Sequence, residues 1–326
     1  MIQAGFSAAE AAADWSGKRE SGELQLARLL DFDKPIRVLG EVRRLFCLSF
    51  PSRAFAPVKE AFRLVLELFS GHYPGYAACS TGYHDYRHTI QVFAAGAHLL
   101  DGRAISGPAP GPGTAADLLI AALLHDSGYI LEADDRSGTG AKYTKMHVDR
   151  SADFVVSQAR VFHLDADRAD RVARLILGTD LARRWQDLAF AADDEADAAA
   201  ILAAADILGQ MGDRIYLEKL LFLYYEFREA GVAGYDTAYD MLVKTLGFYE
   251  AVRSRLDTTL ASTADLARTH FLRRNGVDRD LYREAIQRQM DYLARIIADD
   301  TVNFRRKLKR MDLEAAELRH AEMTRA

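Results

Sequence analysis

The chain has 326 residues, of which 49% are apolar and 27% charged, and its formal net charge is −5 at pH 7. These values are ordinary for a globular protein, and without a basic excess we expect no nucleic-acid partner. Two cysteines in so long a chain exclude a disulfide framework.

The N-terminal segment does not have the pattern of a secretory signal. Residues 1–15 are rich in Ala but contain no Lys or Arg, which a signal peptide needs ahead of its apolar core. Farther along, no stretch approaches the ~18 uninterrupted apolar residues of a membrane span. We therefore expect a cytoplasmic protein with no membrane partner.

Apolar residues recur at spacings of three and four through most of the chain, and no period-two alternation is sustained. This pattern predicts an all-α fold. Residues 118–124 are almost wholly apolar, which predicts a helix buried on all sides. Pro108, Pro110 and Pro112, with their neighbouring glycines, make residues 101–114 the clearest predicted loop. The other predicted helices contain residues 62–68, 92–100, 172–176, 201–208 and 216–227.

Three regions are expected along the chain. Residues 1–75 should form N-terminal helices that pack on the core, and residues 76–280 a catalytic domain. In residues 281–326 apolar side chains recur every seven positions, which predicts one long C-terminal heptad helix. This helix either lies on its own domain or forms a homodimer, and we weigh the two equally. The heptad positions are Met290, Ile297, Phe304, Met311 and Leu318.

A first candidate motif reads Tyr83-His84-Asp85-Tyr86-Arg87-His88. On a helix His84 and His88 would project from one face, one turn apart. Two imidazoles placed in this way either share a metal, or one binds the metal while the other faces the substrate.

The strongest candidates are polar residues in apolar surroundings. His125 and Asp126 follow the apolar run 118–124, and Gly128 would permit the chain to turn there. Asp206 interrupts another apolar run, with Gln210 one turn beyond it on the same face. A buried carboxylate needs a counter-charge, which a divalent cation or a buried arginine would supply.

Two weaker candidates for site residues lie between these motifs in the sequence. His147 stands at a predicted helix start, where it is either a residue of a second metal site or a surface histidine. Thr179-Asp180 follows the predicted helix at 172–176, so Asp180 either caps the next helix or orients a metal-bound water.

The set His88, His125-Asp126 and Asp206 resembles the H…HD…D signature of the HD superfamily of metal-dependent phosphohydrolases. The first motif is most similar to the Tyr-His-Asn-x-x-His motif of the class I cyclic-nucleotide phosphodiesterases. Gly178-Thr179-Asp180-Leu181 and Ala205-Asp206-Ile207 match two further segments of that family. The resemblance covers residues 83–252, roughly half of the chain.

The resemblance implies a compact helical HD domain that hydrolyses a phosphoester by metal-activated hydroxide, with a small nucleotide-like phosphodiester as the expected substrate. His88, His125, Asp126 and Asp206 would hold the first metal, and Asp126 would bridge to a second. His84 would be the general acid. The ligand set suits Mn, Fe, Zn or Mg and does not choose among them.

The chain departs from the phosphodiesterase pattern at the base pocket. The family's Gln-x-x-Phe is matched by Thr245 and Phe248, and a threonine hydroxyl cannot make the paired hydrogen bonds of an amide. Tyr129 also replaces a histidine of the family. Thr179, Asp180, Thr245 and Phe248 are the candidate substrate-binding residues. The alternatives are an HD-type nucleotide phosphatase, a di-iron oxygenase, and a signalling module that retains the metal site without catalysis.

Overall fold

The computed structural model describes residues 24–299 and 303–323. These residues form twelve α-helices and no strand, with one isolated bridge between Tyr76 and Glu132, so the predicted all-α fold is confirmed. The helices are α1 (Pro35–Ser49), α2 (Ala56–Phe69), α3 (Tyr86–Ser106), α4 (Pro112–Leu124), α5 (His147–Gln158), α6 (Ala166–Leu177), α7 (Asp193–Met211), α8 (Tyr216–Glu229), α9 (Ala238–Asp257), α10 (Leu266–Asn275), α11 (Leu281–Ala298) and α12 (Leu313–Met323).

Helices α3, α4 and α7 form the centre of the core. Every residue from 118 to 124 is fully buried, as the apolar run predicted. Helices α3 and α7 approach closely at Gly209, where a Cβ atom would lie 3.1 Å from the Gln91 backbone. This close packing brings the N-terminal part of α3 beside the C-terminal part of α7. None of the helices in the described ranges has the length and apolarity needed to cross a membrane.

Helices α1 and α2 cover this centre from one side. They pack on α3 and α4, and their buried faces include Val38, Val42, Phe62 and Val65. The first 23 residues of the predicted N-terminal region lie outside the described part of the chain.

The loop predicted at residues 101–114 is much shorter than expected. Helix α3 continues to Ser106, and α4 begins at Pro112, where proline suits the first helical turn. Gly102 therefore lies within α3, where a Cβ atom would lie 2.0 Å from the Leu266 carbonyl oxygen. This glycine marks the close approach of α10 to α3 and does not break the helix.

The single long helix predicted for residues 281–326 is corrected by the structure. Helix α11 ends at Ala298, Asp299 adopts extended angles, and the next α-helix begins at Leu313. Tertiary packing outweighs the heptad spacing, since Phe304 packs against Tyr239 with ring centres 5.6 Å apart. Met290 and Leu308 are buried in the chain's own core, whereas Leu318 is 67% exposed. The heptad positions therefore do not form one continuous seam.

Candidate metal centre

Three separate segments bring His88, His125, Asp126 and Asp206 together. His88 lies in the first turn of α3, His125 and Asp126 directly follow α4, and Asp206 lies within α7. His88 Nε2 is 3.2 Å from Asp126 Oδ2 and 3.4 Å from Asp206 Oδ1. His125 Nε2 is 3.3 and 3.6 Å from the same two oxygens. The four residues singled out in the sequence thus form one cluster, in which His88, His125 and Asp126 are buried and Asp206 is partly exposed.

The end of α4 explains how two adjacent residues reach one point. His125 retains helical angles, whereas Asp126 leaves them at φ −110° and ψ 10° and is followed by the 3-10 turn Ser127–Tyr129. Gly128 has a different role from the one predicted. A Cβ atom on it would lie 2.1 Å from the His147 carbonyl oxygen, so this glycine allows the start of α5 to pack against the turn.

Backbone carbonyls determine which ring nitrogens face the cluster. His125 Nδ1 donates to the Ala122 carbonyl at 2.9 Å, and His147 Nδ1 donates to the Thr144 carbonyl at 2.7 Å. In the neutral ring each Nε2 then carries a lone pair. His147 Nε2 lies 3.7 Å from Asp126 Oδ1, the oxygen that faces away from His88 and His125. His147, one of the weaker candidates in the sequence, therefore lies at this site.

Charges within the cluster oppose the effect of burial. Burial disfavours charged His88 and His125, but the Asp126 and Asp206 carboxylates outweigh it and raise the pKa of both imidazoles. Burial likewise disfavours the charged carboxylates, yet the imidazoles lower the pKa of Asp126 and Asp206. By contrast, burial lowers the pKa of His147, with only partial opposition from Asp126. Two carboxylates here need positive charge, from protons or from a cation.

The donor set fits a divalent cation. Asp126 Oδ2 is buried and has no hydrogen-bond partner among the described residues, although two imidazole nitrogens lie beside it. A cation shared by these atoms would supply the missing partner. Donor atoms of His88, His125 and Asp206 all lie within 4.8 Å of one another. Mixed imidazole and carboxylate ligands suit Mn, Fe, Zn or Mg.

His84 lies before α3 and not on it, which corrects the predicted helical pairing with His88. Asp85 is the N-cap, and its side chain accepts from the His88 N–H. The His84 ring nevertheless lies near His88, with centres 5.7 Å apart. Its Nδ1 is 2.6 Å from Glu226 Oε2, while Glu226 Oε1 accepts from the Tyr83 N–H at 2.7 Å. The buried Glu226 carboxylate therefore orients both the ring and its backbone.

Glu226 was missed in the sequence. The only signal was a carboxylate between the aromatic residues Tyr225 and Phe227 of α8, and its partner lies 142 positions away. Tyr129, noted before only as a departure from the family, stacks on His84 at 4.3 Å and on His147 at 4.6 Å between ring centres. Its ring supports both histidines, whereas its buried hydroxyl has no hydrogen-bond partner among the described residues.

Thr179 and Asp180 lie in the turn after α6, and their hydrogen bonds are made outside the cluster. The Thr179 hydroxyl donates to the Ile176 carbonyl, and Asp180 Oδ1 accepts from the Ala182 N–H. Arg255 of α9 donates to the Gly178 carbonyl at 2.9 Å. Burial lowers the pKa of Arg255, and the charges of Asp180 and Asp206 act against it. Arg255 thus binds the backbone of the turn that carries Asp180.

Thr245 and Phe248 are not joined to the cluster by any hydrogen bond, ion pair or ring contact in the described part of the chain. Thr245 is buried in α9, and its hydroxyl donates to the Met241 carbonyl within the same helix. Phe248 is 36% exposed.

Comparison with known proteins adds one similarity. A family model described as Npun_R2479-like matches residues 132–262, less than half of the chain. The matched part contains His147, Asp206 and Glu226 but begins after His125 and Asp126. No curated protein matches the chain.

Proposed function

We propose that this protein is a divalent-cation-dependent phosphohydrolase that acts above all on phosphodiesters. The observation that carries the proposal is the position of the His84–Glu226 pair beside the cluster of His88, His125, Asp126 and Asp206. A cation-binding set and an oriented proton donor are the two components that phosphoester hydrolysis requires.

His88, His125, Asp126 and Asp206 would hold the cation. When bound, a divalent cation supplies Lewis-acid chemistry, because it lowers the pKa of water and neutralises anionic phosphate oxygens. Glu226 accepts the Nδ1 proton of His84 and leaves Nε2 free to carry another. His84 would give that proton to the departing oxygen and so act as the general acid. Tyr129 packs flat on the ring and limits its rotation.

The substrate would be a diester whose recognition does not depend on a purine clamp. An amide can pair with a purine edge, but the Thr245 hydroxyl donates within its own helix and Phe248 is partly exposed. A cyclic nucleotide would therefore be recognised chiefly through its phosphate and sugar.

The test is hydrolysis by the Mn²⁺-loaded protein of cyclic AMP, cyclic GMP, their 2′,3′-cyclic counterparts, mononucleotides and bis-p-nitrophenyl phosphate. His125→Ala is the blank, since it removes a ligand. We expect diester hydrolysis that the blank lacks. Release of inorganic phosphate from mononucleotides alone would favour the nucleotide phosphatase. No activity above the blank, with Mn²⁺ shown to bind, would contradict hydrolysis of these substrate classes and favour the signalling module.

A second candidate is a di-iron oxygenase, which the position of His147 favours. His147 Nε2 approaches the oxygen of Asp126 that the other imidazoles do not contact, so these two residues could help to hold a second cation. Substrate-dependent oxygen consumption by the Fe²⁺-loaded protein, absent in His147→Ala, would support this candidate over hydrolysis.

A further inference from the structure

Gln210 links the proposed cation site to a buried tyrosine. It lies one turn beyond Asp206 on α7, and its amide Nε2 is 3.4 Å from Asp206 Oδ1. On its other side, Gln210 Oε1 accepts from the Tyr83 hydroxyl at 2.6 Å. Tyr83 is itself buried, at 3% exposure, and precedes His84 in the chain.

The chemistry of the three groups determines the direction of these bonds. The Asp206 carboxylate only accepts hydrogen bonds, so the amide must turn its NH₂ group toward it. The amide oxygen then faces away and needs a donor. The Tyr83 hydroxyl is that donor, and it holds the amide against the flip that would place two oxygens together.

The oxygen held in this way is the one that faces the imidazoles. Asp206 Oδ1 lies 3.4 Å from His88 Nε2 and 3.6 Å from His125 Nε2. We infer that Tyr83 and Gln210 are positioning residues that hold Asp206 Oδ1 toward the cation, an inference that rests on the proposed cation site. Partners that orient a ligand in this way typically change metal affinity by ~10–100-fold when they are removed.

We call the hydrogen bonds that link Tyr83, Gln210 and Asp206 the relay. Mn²⁺ affinity, measured by titration calorimetry on the full-length protein, tests the relay without any substrate. The variants are Tyr83→Phe, Gln210→Met and the double variant. Tyr86→Phe is the matched control, because the Tyr86 hydroxyl is also buried but has no hydrogen-bond partner in the described structure. The thermal unfolding midpoint of each variant reports on the fold.

We expect Tyr83→Phe and Gln210→Met each to weaken Mn²⁺ binding by roughly tenfold or more. Because both act through one amide, the double variant should bind no more weakly than Gln210→Met alone. The control should bind like the parent protein. Unchanged affinity in Tyr83→Phe, or losses that add in the double variant, would overturn the relay while leaving the cation site. No Mn²⁺ binding by the parent protein would overturn the proposed function together with the relay.

Discussion

The Nε2 atoms of His88 and His125 lie 3.2 Å apart in the cluster. Two neutral imidazoles cannot both direct lone pairs at each other over this distance without a proton or a cation between them. His125 Nδ1 already donates to the Ala122 carbonyl, so the proton or the cation must bind at the Nε2 atom of this ring. Protons and a cation therefore compete for the same place.

This competition predicts a pH dependence of cation binding. Asp126 and Asp206 outweigh the effect of burial and raise the pKa of His88 and His125. Without a cation, both rings therefore stay protonated at pH values above the ordinary titration range of histidine. A cation must displace these protons, and its affinity should rise with pH by up to about tenfold per pH unit for each proton released. Calorimetry in two buffers of different ionisation enthalpy would count the protons. Equal affinity at about pH 6 and about pH 8 would contradict the prediction.

His84 and Glu226 should affect turnover without affecting cation binding. His84→Ala removes the proposed proton donor, which is expected to lower turnover by ~10²–10⁴-fold. Glu226→Gln should also lower it, because the two carboxylate oxygens accept from the Tyr83 N–H and the His84 ring, whereas a glutamine has only one acceptor oxygen and no charge. The loss should be larger for an alkyl leaving group than for p-nitrophenolate, which needs no proton to depart. Equal losses for both leaving groups would exclude the acid role, and Mn²⁺ affinity is the control.

Gly128→Ala should destabilise the protein and disturb His147. The new Cβ atom would lie 2.1 Å from the His147 carbonyl oxygen and 2.9 Å from Arg150 Cβ, so the start of α5 must move. Overpacking of this kind costs about 1–3 kcal/mol of unfolding free energy. Urea denaturation would measure the loss. Gly113→Ala is the matched control, since no atom lies within 4 Å of its would-be Cβ, and a similar loss in both variants would refute the packing argument.

His98 should make the fold sensitive to acid. Burial, reinforced by His270 stacked 4.4 Å away, lowers the pKa of His98 well below 6.5. As the pH falls, His98 therefore takes up a proton in the unfolded chain before it does so in the folded protein. The free energy of unfolding should fall as pH drops below about 6.5, by at most ~1.4 kcal/mol per pH unit. His98→Gln keeps an acceptor for the Tyr282 hydroxyl but does not titrate. Denaturation at several pH values should therefore show a shallower slope for the variant, and parallel slopes would contradict this assignment.

Local sequence was sufficient to predict the all-α fold and to single out four cluster residues. The all-α fold follows from apolar periodicity, which each helix carries within its own residues. His125, Asp126 and Asp206 stood out because charged or ligand-type side chains in an apolar run need a partner. The same local reasoning missed two contacts, that of Glu226 with His84 and that of Tyr83 with Gln210, since neither joins neighbours in the chain.

Only the tertiary structure decided which elements meet. Heptad spacing in residues 281–326 suits a long helix, yet packing of Phe304 and Leu308 against the domain accompanies a break after Ala298. Gly102 lay in the predicted loop and Gly128 was expected to turn the chain, but each is needed where another backbone approaches. The reason is physical: periodicity records which face of a helix is buried, whereas the partner of that face depends on how all the helices pack at once. The sequence by itself determined the all-α fold and the four residues of ligand type, and the packing of α3, α4, α7 and α8 decided which histidines, carboxylates and tyrosines surround them.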